Sequence, residues 1–467
     1  MNARQSNLRD ASANQAAIAE LAARFGDALS TAEAVRRNHA TVEGFHPYLP
    51  ADAVLMARST EEVAEAVRIC ARHGFPVIPY GAGSSVEGHV LAPRGGLSLD
   101  LSEMNAILQV NAADLDCRVQ AGVTRKQLNS ELRDQGLFFP VDPGADATIG
   151  GMVATNASGT TTVRYGGMRA NVLGLTVVLA DGRVITTGGR ARKSSAGYDL
   201  TNLFTGSEGT LGVITEIQLR LHGVPEETIA AVCPFQTLQG AVNTVIEAVQ
   251  YGIPMARMEL LDALSMKAFN AYGQADYAET PTLFLEFQGQ SVAVKEQAEL
   301  VAELCAANGG GEFRWAAAQE ERDALWDARH KAYFAAMALR PGASAVITDV
   351  CVPVSRLAEA ILETRADIDE AGVTGPILGH VADGNFHCIL LVDPANAAEV
   401  AAAKSLSDRM VRRGLDMGGT CTGEHGVGLG KQHHLIAQHG EAVSVMAGLK
   451  RALDPANLMN PGKIFAV

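Results

Sequence analysis

A chain of mixed helices and strands, folded as two or more units, is predicted by three observations. Its 467 residues exceed what one ordinary hydrophobic core holds together. Stretches of helical and strand periodicity alternate along most of it. Near Pro225 the composition shifts, from a region dense in Gly, Thr and Ser over 140–220 to Ala-rich helical stretches separated by short apolar strands.

Taken in order, residues 14–29 read as an amphipathic helix with Ile18, Leu21, Ala22, Phe25 and Leu29 on one stripe. Ser59 and Glu62 make a capping box for a second helix, whose Val63, Ala66, Val67 and Cys70 face inward and which Gly74 ends. "FPVIPYGAGSS" reads as a short strand running into a glycine loop, and "GLTVVLADG" and "TLGVITEIQLRL" as further strands. Beyond Pro225, "TLFLEFQG" and "HCILLVD" are strands of a second α/β unit, and a final helix at 441–452 leads into "LDPANLMNPGKIF". Internal repeats and low-complexity tails are absent from the sequence.

Bulk properties narrow the function. With 47% hydrophobic and 19% charged residues the composition is globular, and a formal net charge of -14 argues against a nucleic-acid or anionic-membrane partner. An apolar run of about 18 residues does not occur, so a membrane span is not expected. The start, "MNARQSNLRDASANQ", lacks the apolar stretch of a secretory signal and is only weakly like a transit peptide, which reads as a cytoplasmic protein. Seven scattered cysteines, without a Cys-x-x-Cys pair, fit a reducing compartment and exclude the usual iron–sulfur spacings. Any electrons this protein takes up must therefore leave to another molecule.

Two loops carry ligand-binding signals. In "PYGAGSSVEGH", Gly81, Ala82 and Gly83 resemble the start of a dinucleotide fingerprint and Asp100 lies downstream. The third glycine is replaced by Val86, and "EGHVLAPRGG" is too broken by Gly and Pro to open a crossover helix, so the fingerprint fails. What remains is a run whose backbone N–H groups can turn inward on a pyrophosphate, set against an ordinary surface turn. The second stretch, "VDPGADATIGGMVATNASGTTTVRYGG", has almost no bulky side chain between Met152 and Val163. A core wants larger residues there, whereas close approach of backbone to a flat ligand wants Gly, Ala, Ser and Thr.

"GHVADGNFH" places two of the twelve histidines around Asp383-Gly384. That pair predicts a two-residue hairpin, with His380 opposite His387 and Cβ atoms roughly 4.5–5.5 Å apart. Two imidazoles so placed can share one metal ion, although a half-buried cross-strand pair is an equal reading.

Six motifs then occur in a familiar order: Pro79 to His89, Pro143 to Gly167, "GSEGTLGVIT", "GHVADGNFH", "GEHGVG" and "NPGKIF". The chain resembles the FAD-dependent D-2-hydroxyacid dehydrogenases of the vanillyl-alcohol oxidase fold superfamily over nearly everything beyond residue 40. That group contains cytochrome-type D-lactate dehydrogenase, the flavin subunit of glycolate oxidase and D-2-hydroxyglutarate dehydrogenase. The resemblance implies an α+β fold: a two-subdomain FAD-binding domain of that type, interrupted by an α/β cap domain with an antiparallel sheet. It implies an N-terminal helical segment over 1–45, the FAD domain over 46–224, the cap over 225–420 and a returning C-terminal segment over 421–467.

Carried over, the backbone of Gly81, Ala82, Gly83, Ser84, Ser85 and Val86 holds the pyrophosphate. Pro143, Gly144, Thr148, Gly150, Gly151, Thr155, Asn156 and Gly159 line the flavin and its phosphate arm. Val213 and Ile214 touch the adenine end, and Asn460 approaches the isoalloxazine. FAD is expected without a covalent bond, although His89 follows the glycine loop where a relative of this fold could attach it. Glu424 completes a metal site with His380 and His387, whose ligand types suit Zn²⁺ or Mn²⁺ without choosing between them. His425 is the implied base, with support of Glu424 as its alternative role. Arg329 is the implied partner of the substrate carboxylate, with His330 and Arg340 as rivals.

The expected reaction is oxidation of a D-2-hydroxy acid, D-lactate or a close homologue, to the 2-oxo acid. A lysine characteristic of the dicarboxylate-specific relatives is missing from "SAVITDVCVP", and "TDVCVP" is closer to the D-lactate branch. Electrons pass to an external cytochrome, quinone or electron-transfer flavoprotein, and the reading leaves room for a homodimer. A metallohydrolase would use the same two histidines and Glu424 but leaves both small-residue loops unexplained. A flavin-binding subunit without activity would lack the complete metal set.

Overall fold

The computed structural model describes residues 3–465 apart from 274 and 317, with backbone alone for 3–12, 327 and 328. Two large hydrophobic cores organise it. The first draws on residues from Ala17 to Leu221 together with Met459, and the second on residues from Ala231 to Leu435.

Around the first core lie two sheets. In one, the strands run in the order Leu29–Ser30, Ala53–Met56, Leu97–Asp100, Val77–Tyr80, the last three parallel to one another. Helix Thr60–His73 connects two of these strands: the Ser59 hydroxyl caps it by accepting from Glu62 N at 3.2 Å, and Gly74 ends it at φ 65°. The other sheet is antiparallel, in the order Ile107–Asn111, Asp116–Gln120, Val213–Arg220, Val172–Val178, Val184–Gly188. From Ile217 to Arg220 along its central strand, buried and half-buried residues alternate.

The second core is built on an antiparallel sheet in the order Arg314–Ala316, Glu227–Pro234, Thr282–Gly289, Met255–Leu261, Ile377–Gly379, Asn385–Val392, Ser344–Ile347. Helices Leu238–Gln250, Ser291–Ala307, Leu357–Ala371 and Ala397–Asp416 contribute buried residues to that core. The architecture is therefore α+β, with one mixed and one antiparallel sheet in the first half and an antiparallel sheet in the second. From the last helix, Ala442–Leu453, the chain returns to the first half: Met459 bridges Val77 in parallel, and Asn460 N donates to Val77 O at 2.8 Å.

Two local expectations are corrected. The N-terminal helix stops at Phe25, Leu29 belongs to a short strand, and Ala17 rather than Ala22 is buried beside Leu21. A helix carried on to 29 would deny that strand its antiparallel pairing with Leu55.

The hairpin at "GHVADGNFH" is also longer than two residues. Val381–Asp383 form a 3₁₀ turn, only Gly384 takes the left-handed region at φ 78°, and the ladder sets Leu378, not His380, opposite His387. The reason is burial: Val381 and Ala382 pack into the second core, which pulls the chain out of the ladder before the Asp-Gly pair is reached. His380 consequently projects from a loop instead of a strand. Among the described residues there is no helix long and apolar enough to cross a membrane.

Candidate active site

A cavity of about 550 Å³ opens where loops of the first half face strands of the second. Its first wall is small-residue backbone: Gly81 to Val86, Pro143, Gly144, Thr148, Gly151 and Thr155 all line it, and Asn460 closes one end. No helix follows Gly83 before residue 96, so the dinucleotide fingerprint is absent in space as in sequence. Thr148 starts the short helix Ile149–Thr155 by accepting from Gly151 N at 3.3 Å. A Cβ on Gly81 would stand 2.3 Å from the Thr148 hydroxyl, so the two loops meet only because that position is glycine. Such a cradle fits a flat cofactor with a phosphate arm.

Other expected cradle residues stand elsewhere. Gly150 packs against Ala121, and Val213 and Ile214 are buried in their strand within the first core. Asn156 and Gly159 line a smaller neighbouring cavity of about 420 Å³. A Cβ on Gly159 would lie 1.9 Å from the carbonyl oxygen of Asp142. Gly159→Ala should therefore push away the 142–148 loop, at about 1–3 kcal/mol of overpacking. Thermal melting and the ratio of flavin to protein absorbance are expected to fall together.

The opposite wall gathers the polar groups. His380 Nε2, His387 Nε2 and His425 Nε2 lie 3.4, 3.1 and 3.5 Å from one oxygen of Glu424, Oε1. His380 and His387 rings are 5.6 Å apart, and His387 stacks on His425 at 4.9 Å. The His387 Nδ1–H donates to Thr348 O at 3.1 Å, which leaves Nε2 as the free lone pair, buried and without a hydrogen-bond partner. His380, His387 and Glu424 together offer three ligand atoms within 4.8 Å of one another. An orphaned imidazole nitrogen facing a carboxylate and a second imidazole is what a divalent ion would satisfy.

Two buried carboxylates that sequence reasoning missed hold this wall in place. Glu259 accepts from Arg329 Nη2 at 2.6 Å, and its other oxygen contacts His380 Nδ1 at 2.6 Å. Burial pushes Glu259 up, but His380 and Arg329 outweigh it and hold the carboxyl below its usual range. Asp349 Oδ2 accepts from Glu424 N at 3.0 Å, from His425 N at 2.9 Å and from the Thr422 hydroxyl at 2.6 Å. Burial opposes its ionisation, yet Lys431 at 3.5 Å, His425 and His387 keep its carboxyl well below the usual range. The signal for both was present: each is a lone acid inside a mainly apolar run, "ARMELL" and "AVITDVCV".

Burial disfavours charge on His380 and Glu424 alike, but Glu259 and Glu424 raise the histidine, while His380, His387 and His425 lower the Glu424 carboxyl. His425 follows the same pattern, with burial outweighed by Asp349 and Glu424. Arg329 lines the cavity, and its buried Nε has no hydrogen-bond partner. Of its rivals, His330 also lines the cavity, 3.3 Å from buried Asp142, while Arg340 is tied outside it to Glu399 at 2.7 Å.

The two halves are joined by further carboxylates. Asp142 lies 2.9 Å from Arg125 and 3.1 Å from Arg257, one from each half. Glu208, in "GSEG", accepts from Val427 N at 2.7 Å and Gly428 N at 2.8 Å, and His89 Nε2 lies 3.2 Å from it. This ties "GSEGTLG" to "GEHGVG"; His89 Nδ1 meets the Ser85 hydroxyl at 3.1 Å, and its Nε2 faces the Glu208 carboxylate.

Comparison with known proteins agrees with this geometry. The family described as FAD linked oxidases, C-terminal domain, matches residues 224–464, and the FAD binding domain family matches residues 51–188. The chain is 51% identical to the probable mitochondrial D-lactate dehydrogenase of Danio rerio, over 97% of this chain and 93% of that one. It is 44% identical to the mitochondrial D-lactate dehydrogenase (cytochrome) of Arabidopsis thaliana, over 89% of this chain and 73% of that one. Among solved structures, the 4-ethylphenol oxidase of Gulosibacter chungangensis superposes with a TM-score of 0.79 at 20% identity, covering 98% of each chain, which shows the fold. These matches place the chain among the FAD-linked oxidases, as an FAD-dependent oxidoreductase of the D-2-hydroxyacid dehydrogenase group.

Proposed function

We propose that this enzyme oxidises D-lactate, or a close D-2-hydroxy acid, to the 2-oxo acid with a divalent ion as second cofactor. The observation that supports it best is the buried His380, His387 and Glu424 set opposite the small-residue cradle in one cavity. In this reading Gly81 to Val86 and Pro143 to Thr155 hold FAD, and His380, His387 and Glu424 hold Zn²⁺ or Mn²⁺. When bound, the flavin supplies the hydride acceptor, and the ion polarises the substrate hydroxyl and disfavours protonation of nearby His425.

The chain's own residues do the rest. Arg329 binds the substrate carboxylate through the part of its guanidinium that Glu259 leaves open. His425 accepts the hydroxyl proton at Nε2, and Asp349 Oδ2, 4.0 Å from Nδ1, stabilises the imidazolium that results. Asp349 also fixes the backbone of residues 424 and 425, so base and carboxylate ligand move as one unit. Held at its carboxylate and its hydroxyl, the substrate can direct its C2 hydrogen at the cradle in one configuration only. The other hand would drive its side chain into the flavin.

Anaerobic mixing with D-lactate, L-lactate and D-2-hydroxybutyrate, one at a time, tests this. D-lactate should bleach the visible flavin band, and the L-acid should not; bleaching by L-lactate alone overturns the proposal. In our reading a cytochrome, a quinone or an electron-transfer flavoprotein takes the electrons. The two relatives compared above carry mitochondrial names, one with cytochrome. For this chain we propose a reducing compartment, the cytoplasm, on its seven free cysteines.

A further inference from the structure

Away from the cavity, the described residues bring one more set of ligand-type side chains together. Asp408 projects from helix Ala397–Asp416, and His433 and His434 occupy the 3₁₀ turn Gln432–His434. His433 Nε2 lies 3.1 Å and His434 Nε2 3.4 Å from one oxygen, Asp408 Oδ1, with all three ligand atoms within 4.8 Å of one another. The two rings are 3.8 Å apart between centroids.

A tetrahedral ion with bonds of about 2.0–2.1 Å to imidazole nitrogen and carboxylate oxygen separates its ligand atoms by roughly 3.3 Å. The measured spacings to Asp408 match that edge. We propose that Asp408, His433 and His434 form a second metal site, separate from the catalytic set, for a borderline divalent ion of the Zn²⁺ or Cu²⁺ class.

Both imidazoles turn Nε2 to the same oxygen of Asp408, one more partner than a single ion pair needs. His434 is largely shielded from solvent. Two imidazole nitrogens beside one carboxylate oxygen suit nitrogen-seeking borderline ions better than hard, oxygen-seeking cations. Three protein ligands leave one position to water. The ion would staple the helix to the segment that follows Lys431, whose Nζ meets Glu87 at 3.0 Å and Asp349 at 3.5 Å.

Total zinc at saturation decides the matter. The FAD-loaded full chain is analysed for resident metal and then titrated with Zn²⁺ by calorimetry, beside His433→Gln and Asp408→Asn. Neither variant touches the catalytic constellation, and His433 and Asp408 are exposed enough for both to fold. Wild type should saturate with one equivalent more than either variant, or bind that equivalent at least tenfold more tightly. Added Cu²⁺ should show imidazole nitrogen coupling by electron paramagnetic resonance that weakens in His433→Gln, while flavin reduction by D-lactate is unchanged in both variants. Equal stoichiometry and equal affinity in all three proteins overturns the site.

Discussion

His387→Ala should leave a folded, yellow protein whose flavin D-lactate no longer reduces. His387 stands on strand Asn385–Val392, across the cavity from the loops at residues 81–86 and 143–155, so FAD held there has no reason to leave. Its Nε2 is the orphaned lone pair of the proposed metal set. Losing polarisation of the hydroxyl removes several kcal/mol from transition-state stabilisation, a fall on the order of 10³-fold or more in the rate of flavin reduction. Stopped-flow absorbance on the anaerobic enzyme measures that rate, and the flavin to protein absorbance ratio reports retention. Loss of the yellow colour in a folded His387→Ala protein would refute the division of labour between the two walls. Reversible inactivation by EDTA is the matching expectation for wild type, and full activity after verified metal removal defeats the metal-assisted reading.

Arg329→Ala should lower kcat/KM and stability together. Removing a charge-assisted contact to the substrate carboxylate costs about 1.5–3 kcal/mol, roughly ten- to 150-fold in kcat/KM. The second effect arises inside the protein. Glu259 is fully buried and shared between Arg329 and His380, so deleting the guanidinium strips one of its two charged partners. Breaking a buried pair on one side typically costs about 3–5 kcal/mol, which thermal melting will show. Arg329→Lys separates the two roles: it restores a positive charge beside Glu259 without the planar fork. Its melting temperature should recover more than its kcat/KM does. Equal loss of both in the lysine variant would make Arg329 a structural partner of Glu259 only.

The helix capped by Ser59, the strands at 172–178, 213–220, 282–289 and 385–392, and the final helix were all legible from periodicity and punctuation, because those signals are local. The glycine loops were legible too, since a run of small residues is itself a statement about close approach. What resisted was register and partnership. The Asp-Gly pair at 383–384 correctly marked a turn, but how much chain the turn absorbed depended on whether Val381 and Ala382 could be buried in a core assembled from distant segments.

The sequence by itself singled out residues that the fold gathers around one cavity: His380, His387, Glu424, His425, Arg329 and the two small-residue loops that face them. Tertiary structure alone decided their mutual geometry. His380 reaches Glu424 from a loop rather than a ladder, Asp349 fixes the peptide groups of a segment 75 residues away, and Glu259 holds Arg329, 70 residues on, and His380, 121 residues on. Burial and Coulomb partnership are properties of positions in space. A lone acid in an apolar strand announces that a partner exists, and only the folded chain can say which one.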